Sequence, residues 1–580
     1  MQIINIFKSL LCFYIIILSK EDENFDIVII GAGIAGLTAA YESSKLCDKN
    51  CSVALIEKTN KIGGNAIKEN DGINILNSSL QQSLLIFDSH NLFYSDSIKY
   101  SKNNENNTSS ENIQLLLDKS EDLKYFFADE ITTVNFSNVQ RLNGNSVKRT
   151  HFLENLGNFG EFLAESLNEK LKSFNNLKIF LERNVVEIEK TKIKWRIGWK
   201  NYSDKQIYNS KNVHNLTSIK IILATGGFGN FNGENSLLKE HAPSKIKFPT
   251  SKNKHTDGSG LKLIKKLGGE LINMDKIQIY PTAFVDPNNR YNREKYTVPE
   301  IIRNEGAILI NNSGYRFCNE LGIDDYISDE IMKNGTKISN DEIVQYEVFL
   351  LMNEEIKSKL NEKFNYYFNL GLIKKYSNFL NFCYSNKISL DIMNHTIHNY
   401  NEAKINGVDE FNKIIFPVKF NLNEILYVSV VTPIIHYTVG GVKIDKNGQV
   451  LISSSSTISS LYAAGEITGN IHGSRILPGN YLSDCIIFGK ISAETAVLSL
   501  NMNENVSVDK EVRGYISSGK EGGMTTAAIV GAVISALGIL FIFVMMFLLC
   551  KNKEQIKDKK ETLPSQINNI GISGVYENNN

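Results

Sequence analysis

Short runs of apolar, mostly β-branched residues mark the predicted strands of this chain. Phe25 to Ile30, Ser52 to Ile56 and Ile219 to Leu223 are each bounded by charged or glycine-rich segments. Such runs are typical of parallel strands that are buried on both faces. Leu37 to Leu46 has the apolar spacing of a helix, and helical spacing recurs from Asn353 to Asn412. The alternation of strand and helix at the start of the chain predicts an α/β fold.

Two apolar stretches at the ends of the chain differ from this pattern. Met1 to Ser19 contains Lys8 and the apolar run Leu10 to Leu18, and charged residues follow it directly. This arrangement favours a secretory signal peptide over a buried first strand, and the lack of Arg disfavours a mitochondrial presequence. Met524 to Cys550 contains no charged residue, and about 20 apolar residues suffice for a membrane-spanning helix.

The charges around the second apolar stretch predict its orientation. Five lysines lie between residues 551 and 560, whereas the preceding segment mixes both signs. A lysine-rich flank stays on the cytosolic side of a membrane. We therefore expect a single-pass type I membrane protein with its body in the secretory-pathway lumen or outside the cell, and a cytosolic tail at 551–580. A mitochondrial location is disfavoured.

Composition narrows the classes of function. The 63 Lys and Arg residues balance 63 Asp and Glu residues, so the chain lacks the basic excess that nucleic-acid binding requires. A content of 42% apolar and 22% charged residues excludes global disorder. The seven cysteines are scattered, which excludes a disulfide-rich small scaffold. No cluster of His, Cys and Asp suggests a metal site, so we predict none.

The first strand leads into a dinucleotide-binding motif. Gly31, Gly33 and Gly36 follow it in the spacing GxGxxG and open the predicted helix. The glycines permit a tight turn, close approach of a pyrophosphate and close packing of helix on strand. Glu57 ends the second strand about 20 residues later, where a carboxylate binds an adenosine ribose. Because both FAD and NAD use this motif, it predicts a dinucleotide without choosing between them.

Two further glycine pairs favour a flavin. Gly63-Gly64 follows the second strand, and Ala224-Thr225-Gly226-Gly227 follows the third. Glycine pairs allow backbone to lie against a flat or phosphorylated ligand.

With these motifs the chain resembles the soluble fumarate reductase family, and most closely its fungal type. These flavoproteins are related to the succinate dehydrogenase flavoprotein subunit. The resemblance extends from Phe25 to about Leu500. Besides the glycine motifs, it rests on His255 to Gly260, Ile277 to Thr282, Pro299 to Arg303, Gly314 to Glu320, His436 to Val442, Ala463 to Glu466 and His472 to Asn480.

The resemblance implies a Rossmann-like FAD-binding domain made of residues 21–245 and 428–500, with an α+β capping domain, 246–427, inserted between them. The C-terminal membrane helix, 524–550, would follow. In this family a hydride passes from flavin N5 to an enoate such as fumarate, and an arginine delivers the proton. By resemblance, the positions that contact FAD are Gly31, Ala32, Gly33, Ala35, Gly36, Glu57, Lys58, Gly63, Gly64, Asn65, Gly72, Ala224, Thr225, Gly226, Asp257, Tyr437, Gly465, Glu466, Asn480, Leu482 and Ser483.

The substrate residues match the family only in part. His436 matches a carboxylate-binding histidine, and Glu300 with Arg303 matches the proton-relay pair. The second substrate histidine is replaced by Tyr280, which donates a hydrogen bond but rarely carries charge near neutral pH. These four residues are the candidate catalytic groups.

Two family arginines are missing from their positions. The proton donor is replaced by Asp324, which would repel a dicarboxylate, and a carboxylate-binding arginine is replaced by Ile476, next to Arg475. On a loop Arg475 would reach the site, whereas on a strand it would face away. Two interpretations remain. The protein is either an FAD-dependent enoate reductase with a changed substrate or proton donor, or an inactive membrane-tethered FAD-binding or redox-sensing protein.

The remaining expectations concern the cofactor, the cysteines and the partners. The segment Gly64 to Gly72 lacks the histidine to which membrane-bound relatives attach FAD, so we expect noncovalent FAD. Cys47 and Cys51 would form a disulfide or remain two thiols. No c-type haem motif is present, which implies a separate electron donor. We expect a monomer.

Overall fold

The computed structural model describes residues 23–68, 72–101, 108–153, 158–202, 213–230, 233–453 and 456–517, without side chains for 108–110 and 501–517. The predicted signal peptide, membrane helix and cytosolic tail lie outside these ranges. Within them, no helix combines the length and apolar character needed to cross a bilayer. The described residues fall into two units that divide after Asn503. The described part of the second unit, 504–517, is helical backbone.

Nineteen strands are assigned within the described residues. Their bounds are β1 Glu23–Ile30, β2 Val53–Ile56, β3 Ile73–Asn74, β4 Phe136–Gln140, β5 Thr150–Leu153, β6 Leu177–Phe180, β7 Arg183–Lys190, β8 Trp195–Asn201, β9 His214–Leu223, β10 Leu271–Ile272, β11 Ile277–Phe284, β12 Ile308–Ile310, β13 Thr336–Ser339, β14 Val344–Asn353, β15 Lys374–Tyr376, β16 Leu426–Thr438, β17 Gly441–Val442, β18 Gln449–Ser453 and β19 Ser456–Ala463.

The α-helices are α1 Ile34–Cys47, α2 Ser79–Ser83, α3 His90–Ser101, α4 Thr108–Ser120, α5 Leu123–Tyr125, α6 Phe159–Leu171, α7 Leu237–His241, α8 Ser259–Lys266, α9 Glu300–Asn304, α10 Asp324–Asn334, α11 Glu354–Asn369, α12 Phe379–Asn386, α13 Leu390–Asn406 and α14 Asn480–Ser517. Short 3-10 helices lie at Ala66–Lys68 and Pro243–Lys245, and a π-helical turn lies at Phe126–Glu130.

The first large sheet has eight strands and is parallel at its centre. Its order is β18-β19-β9-β1-β2-β6, and β8 pairs β9 and β7. β1 is parallel to β2 and β9, with Ile30 opposite Ile56 and Leu223. The three predicted strands therefore end side by side, which confirms the α/β pattern. At the carboxyl ends of adjacent parallel strands, the connecting loops form the crevice in which ligands bind.

The second large sheet has six strands that are all antiparallel. Its order is β11-β16-β14-β12, with β13 on β14 and β15 on β16. A separate apolar core packs against it and includes side chains of α11, α12 and α13. These three helices account for the helical spacing predicted between 353 and 412. The residue bounds of the two domains remain predictions.

Candidate active site

The glycine turn after β1 contains two close backbone approaches. Gly31 has φ +104°, and a Cβ there would lie 2.3 Å from the carbonyl oxygen of Ala224. A Cβ on Gly36 would lie 1.8 Å from the carbonyl oxygen of Gly31. Only glycine fits both positions, so the turn packs tightly against the end of β9. Gly33 has open space where its Cβ would stand, which leaves room for a ligand at the start of α1.

Glu57 lies beside this turn, as predicted. Its Oε2 accepts a hydrogen bond from the backbone N–H of Ala32 at 2.8 Å, and its Oε1 accepts from that of Thr59 at 2.8 Å. Oε1 also accepts from the Thr59 hydroxyl at 2.9 Å. These bonds orient the carboxylate at the end of β2, where Oε2 retains a lone pair for another donor. The arrangement suits a hydroxyl of an adenosine ribose.

A cleft with a cavity volume of about 330 Å³ runs along this turn. Most of the predicted FAD positions line it, namely Gly31, Gly33, Ala35, Glu57, Lys58, Gly63, Gly64, Asn65, Ala224, Thr225, Gly226, Tyr437, Gly465, Glu466 and Leu482. Glycines for the turn, a carboxylate for the ribose and a continuous lining from β1 to α14 fit FAD.

Six predicted FAD positions lie behind the cleft lining instead. Ala32 and Gly36 support the turn from within the core. Gly72, Asn480 and Ser483 pack around β3, and Asn74 donates to Asn480 Oδ1 at 2.8 Å and accepts from Ser483 Oγ at 3.0 Å. Asp257 Oδ2 forms an ion pair with Lys58 Nζ at 2.6 Å. Asp257 therefore orients Lys58, which itself lines the cleft.

The cleft also contains side chains that were not predicted, including Lys252, Arg183, Asn184, Tyr481 and Cys485. Arg183 begins β7 and stacks on Trp199, with its Cζ 4.2 Å from the ring centroid. Tyr481 and Cys485 adjoin the predicted positions Asn480, Leu482 and Ser483. Lys252, Arg183 and Asn184 lie outside the quoted motifs, and only the tertiary fold brings these three residues to the cleft.

Tyr280 and His436 lie on neighbouring strands of the antiparallel sheet. β11 pairs with β16 so that Tyr280 is opposite Ile434, and the rings of Tyr280 and His436 are 5.1 Å apart. The Tyr280 hydroxyl donates to the carbonyl oxygen of Val298 at 2.8 Å. Ser251 Oγ lies 3.0 Å from His436 Nδ1. The structure thus brings together the two predicted substrate side chains and orients both.

The predicted proton-relay pair lies in the single turn of α9. Glu300 Oε1 accepts from the backbone N–H of Asn143 at 2.5 Å, and Arg303 Nη1 donates to the carbonyl oxygen of Glu320 at 3.0 Å. Both side chains are buried. Burial opposes the charge of Arg303, but the nearby Tyr280, Glu300 and Asp324 raise its pKa above the usual value. Arg303 is therefore a permanent cation beside Tyr280.

Asp324, which was predicted to repel a dicarboxylate, faces this arginine. Asp324 Oδ1 lies 3.8 Å from Arg303 Nη2, and both side chains are 1% exposed. The Tyr100 hydroxyl donates to Asp324 Oδ2 at 3.2 Å. Burial, followed by the charges of Asp324 and Glu300, raises the pKa of Tyr100 well above its usual value. The Asp324 carboxylate thus lies beside the predicted relay arginine.

The displaced arginine has a similar partner. Arg475 lies outside regular strands, and its Nη2 is 2.9 Å from Oδ2 of Asp325. Its guanidinium is 5.8 Å from the Tyr100 ring, so it reaches the vicinity of the relay. Ile476 is fully buried in an apolar cluster with Tyr437, Val439 and Tyr481. The first two residues of α10 therefore each pair with an arginine near the site.

Two further predictions concern metals and cysteines. Among the described residues, no group of three or more His, Cys, Asp and Glu side chains is arranged to hold a metal ion. Cys47, the last residue of α1, forms a disulfide with Cys51. This bond joins the end of α1 to the segment that precedes β2.

Comparisons with known proteins agree with this geometry. The family described as "FAD binding domain" matches residues 26–482. The fumarate reductase of Schizosaccharomyces pombe is 30% identical over 485 residues, which cover 82% of this chain and 90% of the relative. Fumarate reductase 1 of Saccharomyces cerevisiae is 31% identical over 492 residues, covering 81% and 98%. The open conformation of a flavocytochrome c3 fumarate reductase has the same fold, with a TM-score of 0.65, 23% identity and coverage of 83% of this chain and 79% of the other.

Proposed function

Because the chain belongs to the FAD-binding family that contains the fumarate reductases, we propose that it reduces the carbon–carbon double bond of an enoate that carries a single carboxylate. FAD, when bound, supplies the hydride. The protein supplies the remaining functions: it orients the substrate carboxylate, shields the site from water and delivers one proton.

The predicted substrate side chains support binding of one carboxylate. The His436 ring offers a hydrogen-bond donor from β16, whereas the Tyr280 hydroxyl already donates its one hydrogen to Val298. Arg303 lies beside Tyr280 with its guanidinium 5.9 Å from that ring. A cation and a neutral donor that converge in a buried site stabilise one negative charge. Glu300 adjoins Arg303 in α9 and would return protons to the site.

The single observation that carries the choice of substrate is the pairing of both arginines with aspartates. Arg303 faces Asp324 at 3.8 Å, and Arg475 faces Asp325 at 2.9 Å. Asp325 offsets the charge of Arg475, which a second carboxylate would need, and Asp324 would repel such a carboxylate directly. Fumarate, with two carboxylates, is therefore a poorer substrate than a monocarboxylate of similar size.

The test is reduction of an enoate panel by the full-length protein in detergent with a reduced viologen as electron donor. The panel contains fumarate, acrylate, crotonate and cinnamate. We expect kcat/KM for at least one monocarboxylate to exceed that for fumarate at least tenfold. The opposite order would refute the proposed substrate class.

Two variants separate a changed specificity from lost catalysis. Asp324→Arg and Asp324→Arg/Ile476→Arg restore the family's cations, and Asp324→Asn is the matched control that removes charge without adding a cation. Gain of fumarate reduction only in the arginine variants supports the proposed role of Asp324. If the native protein reduces no enoate while an arginine variant does, the inactive FAD-binding or redox-sensing alternative is correct.

We also propose that the protein is a type I membrane protein with a luminal or extracellular body. Support comes from the apolar stretches 1–19 and 524–550 and from the lysines that follow the second one. Protease treatment of sealed microsomes should remove a tag placed after Asn580 and leave the body intact. Digestion of the body with survival of the tag would refute this orientation. Sedimentation of the detergent-solubilised protein tests whether it is the expected monomer. We further propose that a separate donor supplies the electrons.

A further inference from the structure

A buried lysine lines the flavin cleft and was not predicted as part of it. Lys252 is 3% exposed, and its Nζ lies 3.3 Å from Glu466 Oε2 and 5.5 Å from the centroid of the Tyr437 ring. All three residues line the cleft. A lysine is almost never this buried unless it is paired, and here it is held at the wall of a ligand site.

The backbone around Lys252 is fixed by the strand that carries the substrate histidine. The N–H of Ser251 donates to the carbonyl oxygen of Ile435, and Ser251 Oγ contacts His436 Nδ1 at 3.0 Å. The carbonyl oxygen of Lys252 accepts from Asn230 Nδ2 at 2.6 Å. Ser251 therefore orients the histidine while the next residue directs its ammonium group to the cleft.

The position of Lys252 assigns it to the flavin end of the cofactor. If the pyrophosphate binds at Gly33 and the ribose at Glu57, the isoalloxazine ring must extend away from Glu57 along the cleft. The lining there includes Tyr437, which directly follows His436. Hydride transfer requires the ring to lie near the substrate residues, so Lys252, Tyr437 and Glu466 border the ring.

We propose that Lys252 sets the reduction potential of the bound flavin. Two electrons and one proton convert an oxidised flavin into its anionic reduced form, which adds one negative charge to the ring. A fixed cation beside the ring stabilises that charge and raises the potential. The negative charge of Glu466 lowers the potential, but Glu466 Oε1 accepts hydrogen bonds from the backbone N–H and the hydroxyl of Thr438 at 3.0 and 3.1 Å. This hold keeps the pair in one arrangement.

The test is the two-electron midpoint potential of the full-length, FAD-loaded protein, measured by dithionite titration with a reference dye. Lys252→Met should weaken binding of reduced FAD relative to oxidised FAD at least tenfold, which corresponds to a fall of about 30 mV. Lys252→Arg should keep the native potential. Lys58→Met is the matched control, because Lys58 lines the same cleft beside Glu57 and should change FAD affinity without changing the potential.

Two Glu466 variants keep the test decisive if Lys252→Met does not fold. Glu466→Gln should raise the potential, and Lys252→Met/Glu466→Gln should bring it back towards the native value because the pair is then neutral. A shift of less than about 10 mV in both single variants, or an equal shift in Lys58→Met, would overturn the proposal. Since the measurement uses no enoate, its outcome is independent of the proposed substrate.

Discussion

Replacing Asp324 by Asn tests the charge pairing on which the proposed substrate class depends. The substitution keeps the shape of the side chain and its contact with Tyr100, but removes a charge 3.8 Å from Arg303 Nη2. At an effective dielectric constant of about 20, two unit charges at this separation attract by roughly 4 kcal/mol. Glu300 still faces Arg303, so we expect the free energy of unfolding to fall by about 2–3 kcal/mol.

The measurement is a double-mutant cycle of Asp324→Asn and Arg303→Gln, followed by urea unfolding with far-UV circular dichroism. The coupling energy should be about 2 kcal/mol, because each single variant leaves one buried charge without its partner. Asp325→Asn is the control: it is the same substitution one residue later, but Asp325 is 41% exposed, so we expect a loss of only about 0–1 kcal/mol. Equal losses in the two aspartate variants, or a coupling energy below about 0.5 kcal/mol, would refute the reasoning.

Three further predictions concern the body of the protein. Burial lowers the pKa of His151 from 6.5 to about 4. The unfolded chain therefore binds a proton at higher pH than the folded one, and the free energy of unfolding should fall by up to about 3 kcal/mol as pH drops from about 6.5 to about 4. In His151→Gln the pH dependence of the urea midpoint should be flatter. Gly33→Ala should fold normally but weaken FAD binding at least tenfold in a flavin-fluorescence titration, because its methyl group enters the cleft. Gly36→Ala should also lower the thermal stability, because its Cβ would lie 1.8 Å from a carbonyl oxygen. Lys413 Nζ lies 2.7 Å from Glu320 Oε2, and both side chains are buried. Lys413→Met should therefore lower the free energy of unfolding by about 3 kcal/mol and raise the pKa of Glu320 from about 2. Urea unfolding at several pH values measures both effects, and an unchanged pH profile would contradict the prediction.

The nucleotide half of the fold was predictable because its signals are local. β-branched runs ending at Ile30, Ile56 and Leu223 predict buried parallel strands, and the glycine spacing reports backbone approaches that exclude any side chain. The structure confirms these three strand ends and places Glu57 beside the turn. Each feature follows from residues close together in sequence.

The charge arrangement of the site was not predictable to the same degree. The sequence predicted that Asp324 would repel a dicarboxylate, but it did not reveal that the turn of α9 places Arg303 opposite it. The pairing of Arg475 with Asp325 joins residues 150 positions apart, and Lys252 reaches the cleft through a segment bonded to β16. Such contacts depend on which loops the tertiary fold brings together, and a lone charged residue has no periodic pattern that would reveal them.

The burial of Ile476 and the ion pair of Asp324 limit how an arginine can be introduced at positions 476 and 324. Ile476 is packed with Tyr437, Val439 and Tyr481, so an arginine introduced there first would lose its hydration among apolar and aromatic groups, at a cost of several kcal/mol. An arginine at position 324 would instead replace one half of an existing ion pair and meet Arg303. Either arginine alone is therefore expected to lower the free energy of unfolding, so any gain of fumarate reduction in Asp324→Arg would be accompanied by a loss of stability.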